Sequence, residues 1–147
     1  MERDMMSWDI CLKEHVKKIS KDKDKAKSLL KMANLRIEFW SDMKFDAKYT
    51  SIAVDGYYEI IKELLTALMY LEGYKSENHE CLIAFFKQKY PELSYEAGIL
   101  HQLKKIRNDI DYKGFFVSAD YLKRNRLEFK HIIEMLQKII KEKIEAV

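Results

Sequence analysis

Apolar residues recur every three or four positions along most of this chain, the spacing that gathers side chains on one side of an α-helix. Trp8, Leu12, Val16 and Ile19 predict a short first helix, with Ser7 placed to cap its N-terminus. A second helix is predicted over about 22–43, where Asp22 and Asp24 suit the positive end of the helix dipole. Its stripe runs through Ala26, Leu29, Leu30, Ala33, Ile37 and Trp40 and is widened by Met32, Phe39 and Met43. The third segment, about 48–73, carries a near-continuous seam of Tyr57, Ile60, Ile61, Leu64, Leu65, Leu68 and Leu71 that stops at Gly73. So apolar a helix belongs at the centre of the molecule.

A polar loop around KSEN leads to a shorter helix, HECLIAFFKQKY, which Pro91 cannot extend because it lacks an N–H and restricts the residue before it. Ser94 is placed to cap a fifth helix with Tyr95, Ile99, Leu103, Ile106 and Ile110 on its stripe, ending near Tyr112 or Lys113, where Gly114 can turn left-handed. The last helix, about 119–145, is predicted to bury Leu122, Phe129, Ile132, Ile133, Leu136, Ile139 and Ile140 behind a Ser118 cap. Four long helices with brief connections imply an all-α fold, an antiparallel up-and-down four-helix bundle with one or two extra short helices. One domain spans 1–147, with its core over about 22–145. Composition supports this, because one proline and four glycines are too few for a turn-rich sheet protein, and 48% hydrophobic content can fill a core.

Charge adds little. The net value of +3 is small, and the lysines at 13–31 alternate with Glu14, Asp22 and Asp24 as on a solvated helix face. Cys11 and Cys81 show neither CxxC nor Cys/His spacing, which predicts no disulfide framework, no metal site and a reducing, cytoplasmic setting. The longest apolar run, CLIAFF, is far below the roughly 20 residues that cross a bilayer, so no membrane association is expected.

Chemistry concentrates in RNDIDYKG, the last turns of the fifth helix. Arg107 borders the apolar stripe and shares its flank with Asp111 one turn later, while Asn108 and Tyr112 lie farther round. An Arg107–Asp111 surface pair is the plain structural reading. His101 lies about 240° around the helix from Arg107, and His15 and His79 read as ordinary helix-border residues. Glu128 and His131 form a single Glu-x-x-His; a di-metal bundle site needs two.

The order of YYEIIKELLTALMYLEG, then HECLxxFF, then RNDIDYKG, then a long terminal helix resembles the HEPN family of helical-bundle domains over about residues 25–140. Many members of that family are metal-independent ribonucleases that place a histidine five positions after the arginine. Here Arg107 and Asn108 match that pattern, and Tyr112 stands at the histidine position. The chain looks like the subgroup with an Arg-x3-Asp-Tyr motif, matched by Arg107, Asp111 and Tyr112. Histidine titrates near about 6.5 and tyrosine near about 10, a gap worth about 5 kcal/mol, so Tyr112 would be a poor general base. As a neutral donor to phosphate beside an always-charged arginine it remains suitable.

The resemblance therefore implies a homodimer that binds a nucleotide or RNA phosphate through Arg107, Asn108 and Tyr112, alongside a minimal nucleotidyltransferase partner in a toxin–antitoxin-type system. It requires no cofactor. The alternatives are a metal-independent ribonuclease toxin with Arg107, Asp111 and Tyr112 as catalytic residues, or a non-catalytic dimeric scaffold.

Overall fold

A computed structural model describes residues 6–41 and 46–146. In chain order the elements are α1 (Trp8–Glu14), β1 (Val16–Lys18), α2 (Lys23–Ser41), a 3-10 turn at Ala47–Tyr49, α3 (Thr50–Glu72), β2 (Tyr74–Ser76), α4 (His79–Lys89), a second 3-10 turn at Pro91–Leu93, α5 (Ser94–Lys113) and α6 (Ala119–Glu145). The fold is mostly helical, with one small antiparallel sheet among the described residues.

α3 is the hub. It buries Val54, Ile61, Leu64, Leu68 and Met69 almost completely and packs against α2, α4, α5 and α6. Apolar residues on several of its faces leave no side that water solvates well, so the other helices surround it. Phe129, Ile132, Leu136 and Ile140 close the core from α6, and Leu100 and Leu103 from α5. Ser7, Asn78 and Ser118 cap α1, α4 and α6; the Asn78 carboxamide oxygen accepts from the amides of Glu80 and Cys81. Gly73 ends α3 at φ 86°, and its carbonyl accepts from the Ile19 amide at 2.9 Å. A Cβ there would stand 3.0 Å from the Ile19 carbonyl, so glycine serves both the left-handed turn and the close chain crossing.

Several expectations are corrected. The first helix does not reach Ile19: it stops at Glu14, and Val16–Lys18 pairs with Tyr74–Ser76, where a polar loop was expected. Helical spacing of apolar residues is a local signal, and here pairing across some 58 residues, as between Lys17 and Lys75, overrides it. Tyr74 faces inward from this ribbon, with Trp8 edge-on at 5.3 Å and Phe85 beyond. Ser94 is the first residue of α5 and makes no side-chain cap, because the 3-10 turn at Pro91–Leu93 feeds straight into the helix. The buried face of α5 is Ala97, Leu100, Leu103 and Lys104, while Tyr95 is exposed. Met32 and Phe39 of α2 are exposed instead of widening its apolar face, and Met43 lies outside the described residues.

Cys11 and Cys81 form a disulfide, with Cα atoms 5.7 Å apart. Both are fully buried, with Ala84, Met6, Trp8 and Val16 around them in a small second core. Their proximity arises from the docking of α1 on α4, which no sequence spacing encodes. The bond withdraws the argument from cysteine usage for a reducing compartment. No described helix is long and apolar enough to cross a membrane.

Candidate functional site

Arg107 leaves α5 toward α3, and its side chain is only 16% exposed. Its Nε lies 2.9 Å from Asp111 Oδ2, the i, i+4 neighbour foreseen from spacing. α3 supplies the rest of the setting: Asp55 Oδ1 at 3.5 Å from Nε, Glu59 Oε1 at 3.4 Å from Nη2, and the Tyr58 ring, whose centroid is 5.2 Å from Cζ. Asp55, Tyr58 and Glu59 stand at i, i+3 and i+4, so one helix face presents all three to the guanidinium. Glu59 also pairs with Lys62 at 2.9 Å. On the far side of Tyr58, its hydroxyl shares a hydrogen bond of 3.1 Å with His79 Nδ1, in the first turn of α4. One residue on, Glu80 Oε1 accepts from the ammonium of Lys104, which is 8% exposed, at 3.0 Å.

The electrostatics follow from this crowding. Burial works against the charge on Arg107, but Asp111, Glu59, Tyr58 and Asp55 outweigh it and raise its pKa. Burial also raises the Asp55 carboxyl, helped by Asp111 and Glu59, beyond what Arg107 recovers. Glu59 is likewise penalised by burial, yet Lys62, Arg107 and Arg36 bring it below the ordinary glutamate value. His79 is pushed down, first by burial and then by Lys62 and Arg107, which keeps it neutral at neutral pH. Burial raises the Tyr58 hydroxyl strongly, so it is a proton donor and not a phenolate.

Of the residues singled out from sequence, Arg107 and Asp111 are brought together. Asn108 is half-buried on the adjoining flank, and Tyr112 is 79% exposed; no described hydrogen bond or ion pair joins either to Arg107. Asp55, Tyr58 and Glu59 escaped the reading although their signal was present: three polar or amphipathic residues at helical spacing inside the most apolar segment of the chain. His79 carried no such signal, because its link to the site is a contact across 21 residues.

Compared with family models, curated proteins and solved structures, the chain matches none.

Three carboxylates, Asp55, Glu59 and Asp111, face two cations, Arg107 and Lys62, so an incoming phosphate meets a guanidinium already engaged. The described contacts use Nε and Nη2. The cavity beside Tyr58 and His79 holds about 10 Å³, room for no more than one water. Next to this small site lies an apolar rim. Phe115 is half-exposed and Phe116 is 82% exposed, Tyr112 adjoins them, and the Val117 amide donates to Ser51 Oγ at 2.8 Å, which fastens the loop to the start of α3 near exposed Ile52. Tyr112, Phe115 and Phe116 are thus three exposed aromatics within five residues at the end of the helix that carries Arg107.

Proposed function

We propose that the chain is a HEPN-like module, an antiparallel up-and-down bundle of α2, α3, α5 and α6. In this reading two copies associate through the Tyr112, Phe115 and Phe116 rim, so that their Arg107 side chains face a shared cleft for a nucleotide or RNA phosphate. One observation carries the reading: a guanidinium held by Tyr58 and three carboxylates stands on the helix whose end carries the exposed aromatics Tyr112, Phe115 and Phe116. A second subunit would supply the other wall of the cleft. The anion would displace one carboxylate, Asp55 being the readiest to leave because its pKa is already raised. A minimal nucleotidyltransferase remains the proposed partner on the strength of the sequence resemblance.

The test joins mass to binding. Light scattering should give a dimer for the wild type and a monomer for Phe116→Asp, and single-stranded RNA should bind the first at least tenfold more tightly. A monomeric wild type that still binds RNA as well as the variant does would overturn the shared cleft.

His79 favours a second reading, the metal-independent ribonuclease. With Nδ1–H donating to the Tyr58 oxygen, on whose ring Arg107 sits, a neutral His79 would keep Nε2 as a proton acceptor in the same cluster as the cation. In that reading Arg107 stabilises charge on the phosphorane and His79 does what Tyr112 or Asp111 does poorly. RNA cleavage by the wild type, lost in both Arg107→Ala and His79→Ala, would establish it; no cleavage of varied RNAs by concentrated protein would remove it.

A further inference from the structure

A cleft of about 350 Å³ opens between α2, α3 and α6, away from Arg107. Its volume lies in the range of small-molecule sites. Ile37 and Trp40 of α2, Tyr57 and Ile60 of α3, and Ile133 of α6 make the walls apolar. The depth has a local cause. Gly56 of α3 admits the Trp40 indole so closely that a Cβ there would stand 2.9 Å from Cε2, and Ala53 keeps the neighbouring turn small. Trp40 thereby lies against α3 instead of filling the space toward α6, and Tyr57 turns its ring onto Phe129 at 5.4 Å.

The α6 edge carries Arg126 and Lys130, one helical turn apart and both exposed. Some cations of the fold pair across helices, Arg36 with Glu63 at 2.8 Å and Lys104 with Glu80 at 3.0 Å, while exposed ones such as Lys123 and Lys138 are in no described ion pair. No described ion pair engages Arg126 or Lys130, although Glu134 lies one turn beyond Lys130 on the same edge, and Gln137 is committed to Asn34 at 2.8 Å. Two uncommitted cations over an aromatic and aliphatic concavity complement a molecule with an apolar body and one anionic head.

We propose that this cleft binds a small organic carboxylate, its alkyl or aryl body against Trp40, Tyr57 and Ile133 and its carboxylate between Arg126 and Lys130. Trp40 forms a flat wall, Gly56 fixes that wall in place, and the cations orient the head outward.

Calorimetric titration with decanoate, below the concentration at which it forms micelles, tests this against decanol as the neutral isostere. Decanoate should bind at least tenfold more tightly than decanol, and the exposed-surface double variant Arg126→Glu with Lys130→Glu should weaken it by tenfold or more. Arg107→Ala should leave it unchanged, which separates this site from the phosphate-binding proposal. Absence of decanoate binding, equal binding of decanol, or undiminished binding by the double variant would overturn it.

Discussion

Arg107 shows how far a single residue can be read from sequence. Its pairing with Asp111 followed from i, i+4 geometry alone, whereas Asp55, Glu59 and Tyr58 reach it from a helix some 50 residues earlier, a relation fixed only by how α3 and α5 pack. Replacing it with alanine leaves three carboxylates crowded together, so Arg107→Ala should lose about 1–2 kcal/mol at pH 7 by urea unfolding, the partial exposure of the pairs limiting the cost. Part of that loss should return toward pH 4, since Asp55 is the carboxyl already inclined to take a proton. His79 supplies a separate pH response. Its folded-state pKa is depressed below the value of 6.5, so it contributes stability that is complete above 6.5 and is lost as pH falls through the lower folded value. The urea midpoint should therefore decline between pH 7 and pH 5, and His79→Gln should flatten that decline. Gly56→Ala should destabilise by about 1–3 kcal/mol, because the added methyl meets the Trp40 ring and not open space.

At the scale of elements, legibility tracked locality. α3 and α6 were evident because long apolar seams and the Gly73 and Ser118 caps are signals internal to each segment. Ser118→Ala should cost about 1 kcal/mol, since its side chain accepts the Tyr121 amide at the start of α6. The apolar stripe of α5 was legible in Leu103, Ile99, Ile106 and Ile110, which lie in or against the core, but Tyr95 is exposed, and the small Ala97 and the buried Lys104, whose partner is Glu80 on α4, were not foreseen. β1 and β2 were invisible because a strand of three residues has too little pattern to compete with helical spacing. The disulfide holds this otherwise minor ribbon and α1 onto α4. It closes a loop of 70 residues, and its removal by a dithiol or by Cys11→Ser with Cys81→Ser should cost about 4 kcal/mol on the chain-entropy account. Amide exchange should then quicken at Ile19 and Asp22, whose N–H groups bond to Gly73 and Tyr70 across the same junction.

For the molecule as a whole, the helical class was legible from composition and periodicity, while the surroundings of Arg107 were legible only in part. Helical spacing set Asn108 and Tyr112 farther round the helix than Arg107, and only the family resemblance grouped them with it; Asn108 is half-buried, Tyr112 faces outward, and α3 supplies the groups around the guanidinium. Tyr112 and Phe116 are among the most exposed large apolar side chains of the described residues, with Phe115 half-exposed between them. The acidic surroundings of Arg107 set the severest condition on the proposal, because a phosphate must compete with carboxylates already in place. The most direct measurement is the affinity of a labelled single-stranded RNA for wild type and for Arg107→Ala at low salt, with the mass of each recorded under the same conditions. The account predicts two dimers, of which the alanine variant binds at least tenfold more weakly. Equal affinity would show that Arg107 serves only its carboxylate neighbours.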